Sequence, residues 1–246
     1  MGRVFVTGDT HSDFEKIEYF CNRIDTTKDD LMIILGDAGI NYYGGKRDKK
    51  LKEYLQRLPI TFFCIRGNHE MRPQALPNLT DEMFIFPDET ASRPRLDLVY
   101  FEKEYPNILY AKDGGTYWVD TPNGKKSILT IGGAYSVDKQ YRLDNGWAWF
   151  EDEQLNEEER ERIARKAHKV RFHDYVLTHT IPVQWEPTEY FLPFIDQSTV
   201  DKTMENWLSE VEKSIVYNNW YAGHYHVDKV VNDKVKLLFH SIIEIQ

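Results

Sequence analysis

Five short clusters in this chain hold side chains able to grip metal ions: Gly8-Asp9-Thr10-His11, Gly36-Asp37, Gly67-Asn68-His69-Glu70, Thr178-His179 and Gly223-His224-Tyr225-His226. They supply carboxylates, one amide and several imidazoles, the hard-to-borderline donor set of a transition-metal centre. There are enough donors for two ions rather than one. Two ions about 3.5–4 Å apart suit hydrolysis of a phosphate ester, because one clamp stabilises the attacking and the leaving oxygen together. Asp9 and His11, two residues apart at a strand end, project to one side and can share an ion. Asp37 can bridge two ions with its two oxygens. Asn68 offers an amide oxygen, and His179, His224 and His226 offer ring nitrogens. Taken singly, each cluster is an ordinary turn or a structural histidine. Their ordered conjunction carries the signal.

Each cluster follows an apolar run that reads as a β-strand, the first three being Arg3–Thr7, Leu31–Leu35 and Ile60–Ile65. Between them the spacing predicts two helices. One is capped by Ser12 or Asp13 and turns Ile17, Phe20, Cys21 and Ile24 inward. The other spans Lys49–Leu58, with Leu51, Tyr54, Leu55 and Leu58 inward and Pro59 as its stop. Strand–helix–strand units of this length imply parallel pairing with right-handed crossovers. Open α/β sheets put their sites beyond the carboxyl ends of strands, so the first three clusters should share one edge. From Asn107 the pattern changes, and Ile108–Tyr110, Thr116–Asp120 and Lys126–Ile131 read as antiparallel strands with a Pro122-Asn123-Gly124 turn. A helix over roughly Asp152–His168 and a strand at Tyr175–Leu177 follow. The irregular segment Pro182–Asp196, rich in aromatics and prolines, reads as a lid or rim. A helix at Thr199–Ser214, a strand at Trp220–Ala222 and a hairpin over Val227–Ile245 complete the chain. No repeat or linker interrupts it, so one domain over residues 1–246 is expected.

Hydrophobic residues make up 41% and charged residues 29% of the 246, the balance of a soluble globular protein. The net charge of −9, with no basic stripe, argues against long nucleic acids as partners. It does not argue against a small phosphorylated substrate, since bound metals bring their own positive charge. The cluster Lys46-Arg47 with Lys49-Lys50 reads as a solvated helix start. Leu31–Leu35 is too short to span a bilayer. With no apolar leader after Met1, and with Val6 where myristoylation needs Ser or Thr, a cytoplasmic protein without a membrane partner is expected. Cys21 and Cys64 read as free core thiols. His168 and His173 flank the end of a charged helix, where a cation suits the dipole. These two and His240 read as structural or exposed.

The chain resembles the calcineurin-like metallophosphoesterase superfamily, whose signature is D-x-H, G-D, G-N-H-[DE], H and G-H-x-H. Every signature residue is present, from Asp9 to His226. The resemblance implies an α/β fold: a four-layer α/β/β/α sandwich of two mixed β-sheets flanked by helices. It further implies that Asp9, His11 and His226 hold one metal and Asn68, His179 and His224 a second, with Asp37 shared. A water or hydroxide bridging the ions would attack phosphorus, and His69 would be the catalytic group that protonates the leaving oxygen or steadies the phosphoryl charge. Glu70 would accept the hydrogen bond that orients His69, or be a solvated helix-start carboxylate.

The departures bear on substrate. Protein phosphatases of the superfamily continue the second motif as G-D-x-x-D-R-G, whereas this chain reads Gly36-Asp37-Ala38-Gly39-Ile40-Asn41. The stretch Gly132–Arg142 looks like that of small bacterial and phage metallophosphoesterases. Tyr135, Lys139 or Arg142 from it, with Arg66 and Arg72 beside the third cluster, are candidate substrate contacts. The aromatics Trp185, Tyr190, Phe191 and Phe194 are candidates to stack a base. The expected activity is hydrolysis of a small phosphodiester or nucleotide-like molecule. Phosphomonoesterase, protein phosphatase and a non-catalytic scaffold are the alternatives. The donor set suits two divalent transition-metal ions, Mn²⁺ or Fe²⁺/Fe³⁺, with Zn²⁺ or Ni²⁺ also compatible.

Overall fold

A computed structural model describes residues 2–76, 78–83 and 98–246. Its first strands are β1 (Val4–Thr7), β2 (Leu31–Ile34) and β3 (Thr61–Cys64), parallel to one another as the helical crossovers demand. The crossovers are α1 (Glu15–Ile24) and α2 (Lys46–Leu55). Ile17 and Cys21 of α1 are buried at helical spacing, with Phe20 and Ile24 partly buried beside them. Asp13 accepts the Glu15 amide just ahead of the first turn. The basic cluster belongs to α2 itself, which starts at Lys46 rather than Lys49.

The described residues form two sheets. The first has the order β13 (Ile242–Glu244), β1, β2, β3, β6 (Ile108–Tyr110), β5 (Leu98–Glu102), β4 (Leu79–Met83), and the second β11 (Lys229–Val230), β12 (Val235–Leu237), β10 (Val216–Ala222), β9 (Phe172–Thr178), β8 (Gly124–Ile131), β7 (Gly115–Thr121). Strands β4 (Leu79–Met83) and β5 (Leu98–Glu102) extend the first sheet at one edge. The pair β7 (Gly115–Thr121) and β8 (Gly124–Ile131) is the antiparallel hairpin that the turn residues foretell. Then come α3 (Lys139–Asp144), α4 (Glu157–Val170), β9 (Phe172–Thr178), α5 (Thr203–Ser214) and β10 (Val216–Ala222). Both sheets mix parallel and antiparallel pairs, and helices lie on their outer faces, so the architecture is the α/β sandwich of two mixed β-sheets expected from the sequence.

Three apolar layers hold it together. Val6, Ile33, Phe63, Tyr117, Ile128, Leu177 and Tyr221 meet between the sheets. Phe14, Ile17, Leu55 and Phe62 close the first sheet against α1 and α2, while Ile163, Met204, Leu208 and Trp220 close the second against α4 and α5. Each such fully buried side chain contributes roughly 1.5–3 kcal/mol through burial.

Several details differ from the sequence reading. Ile108–Tyr110 is β6, and it lies in the first sheet between β3, to which it is parallel, and β5, to which it is antiparallel, rather than beside β7. Three apolar residues carry no signal of which neighbours they take. The terminal segment is not one hairpin. β11 (Lys229–Val230) and β12 (Val235–Leu237) stay in the second sheet, whereas β13 (Ile242–Glu244) crosses to pair antiparallel with β1. Helix α4 starts later than Asp152 because Asn156 caps it, in a reciprocal box with Glu159. His173 is no helix-end cation: it sits in β9, fully buried, while His168 on α4 and His240 in the bend before β13 are exposed. Cys21 and Cys64 are free and buried. No helix among the described residues is long and apolar enough to cross a membrane.

Candidate metal centre and its flanking cavities

The loops after β1, β2, β3, β9 and β10 carry the five clusters to one rim of the sandwich. The backbone there is bent hard. His11, Asp37, His224 and His226 all have positive φ, between 46° and 68°, which non-glycine residues rarely adopt. Such conformations persist where the surroundings over-determine them, and they cluster at functional sites. Close packing adds to the constraint. A Cβ on Gly67 would come within 1.9 Å of Asp37 Oδ1, and one on Gly223 within 2.3 Å of Asp9 Oδ1.

Three groups of donor atoms converge within 4.8 Å: Asp9 with His11 and His226, His11 with Asp37 and His69, and Asp9 with Asp37 and His179. The Nε2 atoms of His11 and His226 stand 2.8 Å apart, and His226 Nε2 lies 3.2 Å from Asp9 Oδ2. Asp9 Oδ1 accepts the His224 amide, while its Oδ2 is buried and makes no hydrogen bond. On the other side, His179 Nδ1 faces the Leu35 carbonyl at 2.7 Å and must donate to it. That fixes the tautomer and turns Nε2 toward Asp37 Oδ2, at 3.6 Å, and Asn68 Oδ1, at 2.8 Å. The Asn68 amide is itself oriented: its nitrogen donates to Ser136 Oγ, whose hydroxyl is bound to Glu153. A buried carboxylate oxygen with no hydrogen-bond donor, and ring nitrogens, carboxylates and an amide oxygen drawn together at one point, are what a bound cation would satisfy. The donor set therefore fits metal. His224 joins none of the three groups; its ring meets the His179 ring edge-on at 4.9 Å.

The charges agree with this picture. Burial works to raise the Asp9 and Asp37 carboxyls, but the neighbouring histidines outweigh it and hold both below the usual carboxylate range. Burial works against a charge on His179, yet Asp37 and Asp9 prevail and push it up to about 9. Burial and His179 push His224 down to about 3.

His69 is placed by its backbone amide, which donates to Asp37 Oδ1 at 2.7 Å. Its ring meets Arg142 Nη2, which touches Nδ1 and lies 2.9 Å from Nε2. Burial and Arg142 outweigh Asp37 and lower its pKa. Glu70 does not orient it. The Glu70 carboxylate turns the other way and accepts the Gly67 amide at 2.9 Å and the Gly39 amide at 3.2 Å, joining the loops after β2 and β3. Burial and the nearby Asp37 charge push it up to about 7.

Two expected substrate contacts are elsewhere. Arg66 is buried, paired with Asp113 at 3.2 Å and bonded to the Glu153 carbonyl. Arg72 is engaged by Glu159, Asp152 and the Gln154 carbonyl. Both are structural, and their partners lie 47 and 87 residues away, where sequence spacing gives no hint. Lys139 sits over the Trp149 ring at 3.8 Å. Tyr135 and Arg142 do line the site, in two different cavities that meet at His69. One, of about 590 Å³, is lined by His11, His69, Arg142, Tyr42, Arg47 and Trp147 among others. The second, of about 440 Å³, is lined by Asn68, His69, Tyr135, His224, Glu205 and the Tyr190–Leu192 stretch among others.

The aromatic segment is a run of short 3-10 turns, Val183–Trp185, Thr188–Tyr190 and Gln197–Thr199. Trp185 packs on Trp220 at 5.8 Å and does not line the second cavity, nor does Phe194, which is exposed. Tyr190 and Phe191 do line it, Phe191 stacking on Tyr225 at 6.1 Å. Sequence reading missed Glu186, Lys202 and Glu205 in this wall. Lys202 pairs with Glu186 at 2.7 Å, and Thr180 donates to Glu205 at 2.7 Å. Burial pushes the Glu205 carboxyl up to about 7. Single charged residues in a loop, at a helix start and on α5 of a charged chain gave no sign of this role.

A family model described as calcineurin-like phosphoesterase matches residues 2–240 of the chain. No curated protein matches it. Among solved structures, one crystal structure shares 12% identity over 99% of this chain and 98% of that chain, with a TM-score of 0.46. Another, the protein of unknown function AQ665 from Aquifex aeolicus, shares 13% identity over 73% of this chain and 81% of that chain, with a TM-score of 0.33.

Proposed function

Since the chain belongs to the calcineurin-like phosphoesterase family, it is a metal-dependent phosphoesterase, and we propose that it cleaves a small phosphodiester at a two-metal centre with His69 assisting. The observation that carries the diester reading is the position of His69 where two cavities meet. A phosphodiester has an organic group on each side of phosphorus, and each needs room. A monoester would leave one cavity without use.

In this reading Asp9, His11 and His226 would hold one ion and Asn68, His179 and His224 the other, with Asp37 available to both. The convergence of Asp9 with His11 and His226, and of Asp37 with Asp9 and His179, supports that part of the assignment; Asn68 and His224 enter it from the resemblance. When bound, the ions supply positive charge to the phosphoryl oxygens and lower the pKa of a water. The protein's own contribution is placement. Asp37 fixes the His69 backbone, and Arg142 and the His69 ring converge on one point. There the guanidinium steadies phosphoryl charge, and the imidazole passes a proton to the departing oxygen.

The test compares bis-p-nitrophenyl phosphate with p-nitrophenyl phosphate in the presence of manganese. The diester should be turned over at least tenfold faster, and His69→Asn should reduce that turnover strongly while metal content is unchanged. Faster monoester turnover would instead favour the phosphomonoesterase alternative.

A further inference from the structure

The two cavities carry opposite charge. Among its described lining residues the second has Asp37, Asp138, Glu186 and Glu205 against one lysine, Lys202, and no arginine. The first is lined by Arg47 and Arg142, with no Asp or Glu among its described lining residues. In a chain of net charge −9, a carboxylate-free wall bearing two guanidinium groups runs against composition.

The two arginines are joined by aromatic rings. Arg142 lies 5.7 Å from the Tyr42 ring centre, Tyr42 meets Tyr43 at 4.7 Å, and Arg47 lies over Tyr43 at 3.9 Å. Stacking holds a guanidinium in place without neutralising it, so less ordering is needed when an anion arrives. Arg142 is already partly neutralised, its Nε held by Asp138 at 2.8 Å. Arg47 is exposed and pairs with no carboxylate among the described residues.

We propose that this first cavity binds a second anionic group of the substrate, a phosphate beyond the scissile one, with Arg47 as the specificity-determining contact. The proposal rests on the phosphoesterase reading for the scissile phosphate, and it places the uncharged part of the substrate in the acidic second cavity. An anion there would face Asp138, Glu186 and Glu205, with Lys202 already paired to Glu186, which disfavours the reverse orientation.

Titration calorimetry of the purified protein tests this with thymidine 5′-phosphate and thymidine 3′,5′-bisphosphate. Arg47→Ala should weaken the bisphosphate about tenfold, equivalent to about 1.4 kcal/mol, and leave the monophosphate within about twofold. Lys49→Ala, an exposed cation on the same helix, should change neither. The Arg47 effect should shrink in high salt. In kinetics with p-nitrophenyl esters of the same nucleotides, Arg47→Ala should raise KM for the 3′-phosphorylated ester alone, with kcat unchanged. Equal losses for both probes, no loss, or an equal effect of Lys49→Ala would overturn the proposal. If no ester is hydrolysed but the binding pattern holds, the phosphoesterase reading falls and the anion subsite stands.

Discussion

Arg142 presses its guanidinium against both ring nitrogens of His69, 73 residues away in sequence. Two groups that can each meet a phosphoryl oxygen are thus fixed side by side, with Asp138 and the Ala148 carbonyl steadying the arginine. Lysine would keep the charge but lose the planar fork that makes these contacts together. Arg142→Lys should therefore lower kcat on the order of 10²-fold, with metal stoichiometry unchanged. Steady-state kinetics beside elemental analysis checks this, and unaltered turnover would remove Arg142 from the chemistry.

Glu70 ties two loops together rather than aiming a histidine. Glu70→Gln would set an amide N–H₂ against one of two backbone N–H donors, an unsatisfied buried contact worth about 1–3 kcal/mol. The expected outcome is a lower Tm and weaker metal binding, with turnover restored at saturating manganese. An orienting role for His69 would instead leave kcat low at any metal concentration.

Metal loading should release protons. His179 has its pKa pushed up to about 9 by Asp37 and Asp9, so near neutral pH the metal-free ring is protonated, and an ion can bind only the neutral form. His224, at about 3, is already neutral and releases none. Apparent affinity should rise with pH up to about 9. Asp9 raises the His226 pKa as well, so calorimetry in buffers of different ionisation enthalpy should count at least about one released proton per loading near neutral pH, and no release would refute this account.

His173 sets part of the acid limit. Its ring is fully buried, neither nitrogen makes a hydrogen bond, and burial pushes its pKa down to about 4. The unfolded chain takes up a proton near 6.5 while the folded one resists until about 4, so stability is whole above the first value and drains as pH falls toward the second. His173→Leu should abolish that loss. Relative to wild type, the variant should gain roughly 2–3 kcal/mol between pH 7.5 and pH 4.5 in urea unfolding.

The site was legible where chemistry forces residue type. Asp9, Asp37, Asn68 and the histidines follow apolar runs because strand ends are where an α/β sheet can present them. What sequence could not show is who faces whom. Glu70 reads as a partner of adjacent His69, yet two backbone amides claim it first. Arg66 and Arg72 read as phosphate ligands, yet distant carboxylates neutralise them. Arg47 reads as a solvated helix face, and only the fold of the loop through Tyr42 and Tyr43 turns it toward the centre. Strand membership failed at β6 and β13 for the same reason: three-residue strands owe their place to neighbours, not to pattern.

The bond from His224 to Asp9 spans 215 residues, and so does the approach of His226 to His11. Between them the chain lays down β2 through β10, most of both sheets. The trio of Asp9, His11 and His226 therefore cannot form on a nascent chain until the loop after β10 has left the ribosome. Of the three donor groups, only His11 with Asp37 and His69 could meet early, since all three residues come from the first 69. A chain clipped before His224 would keep the motifs of the first sheet but not the full donor set, and so should take up metal less tightly.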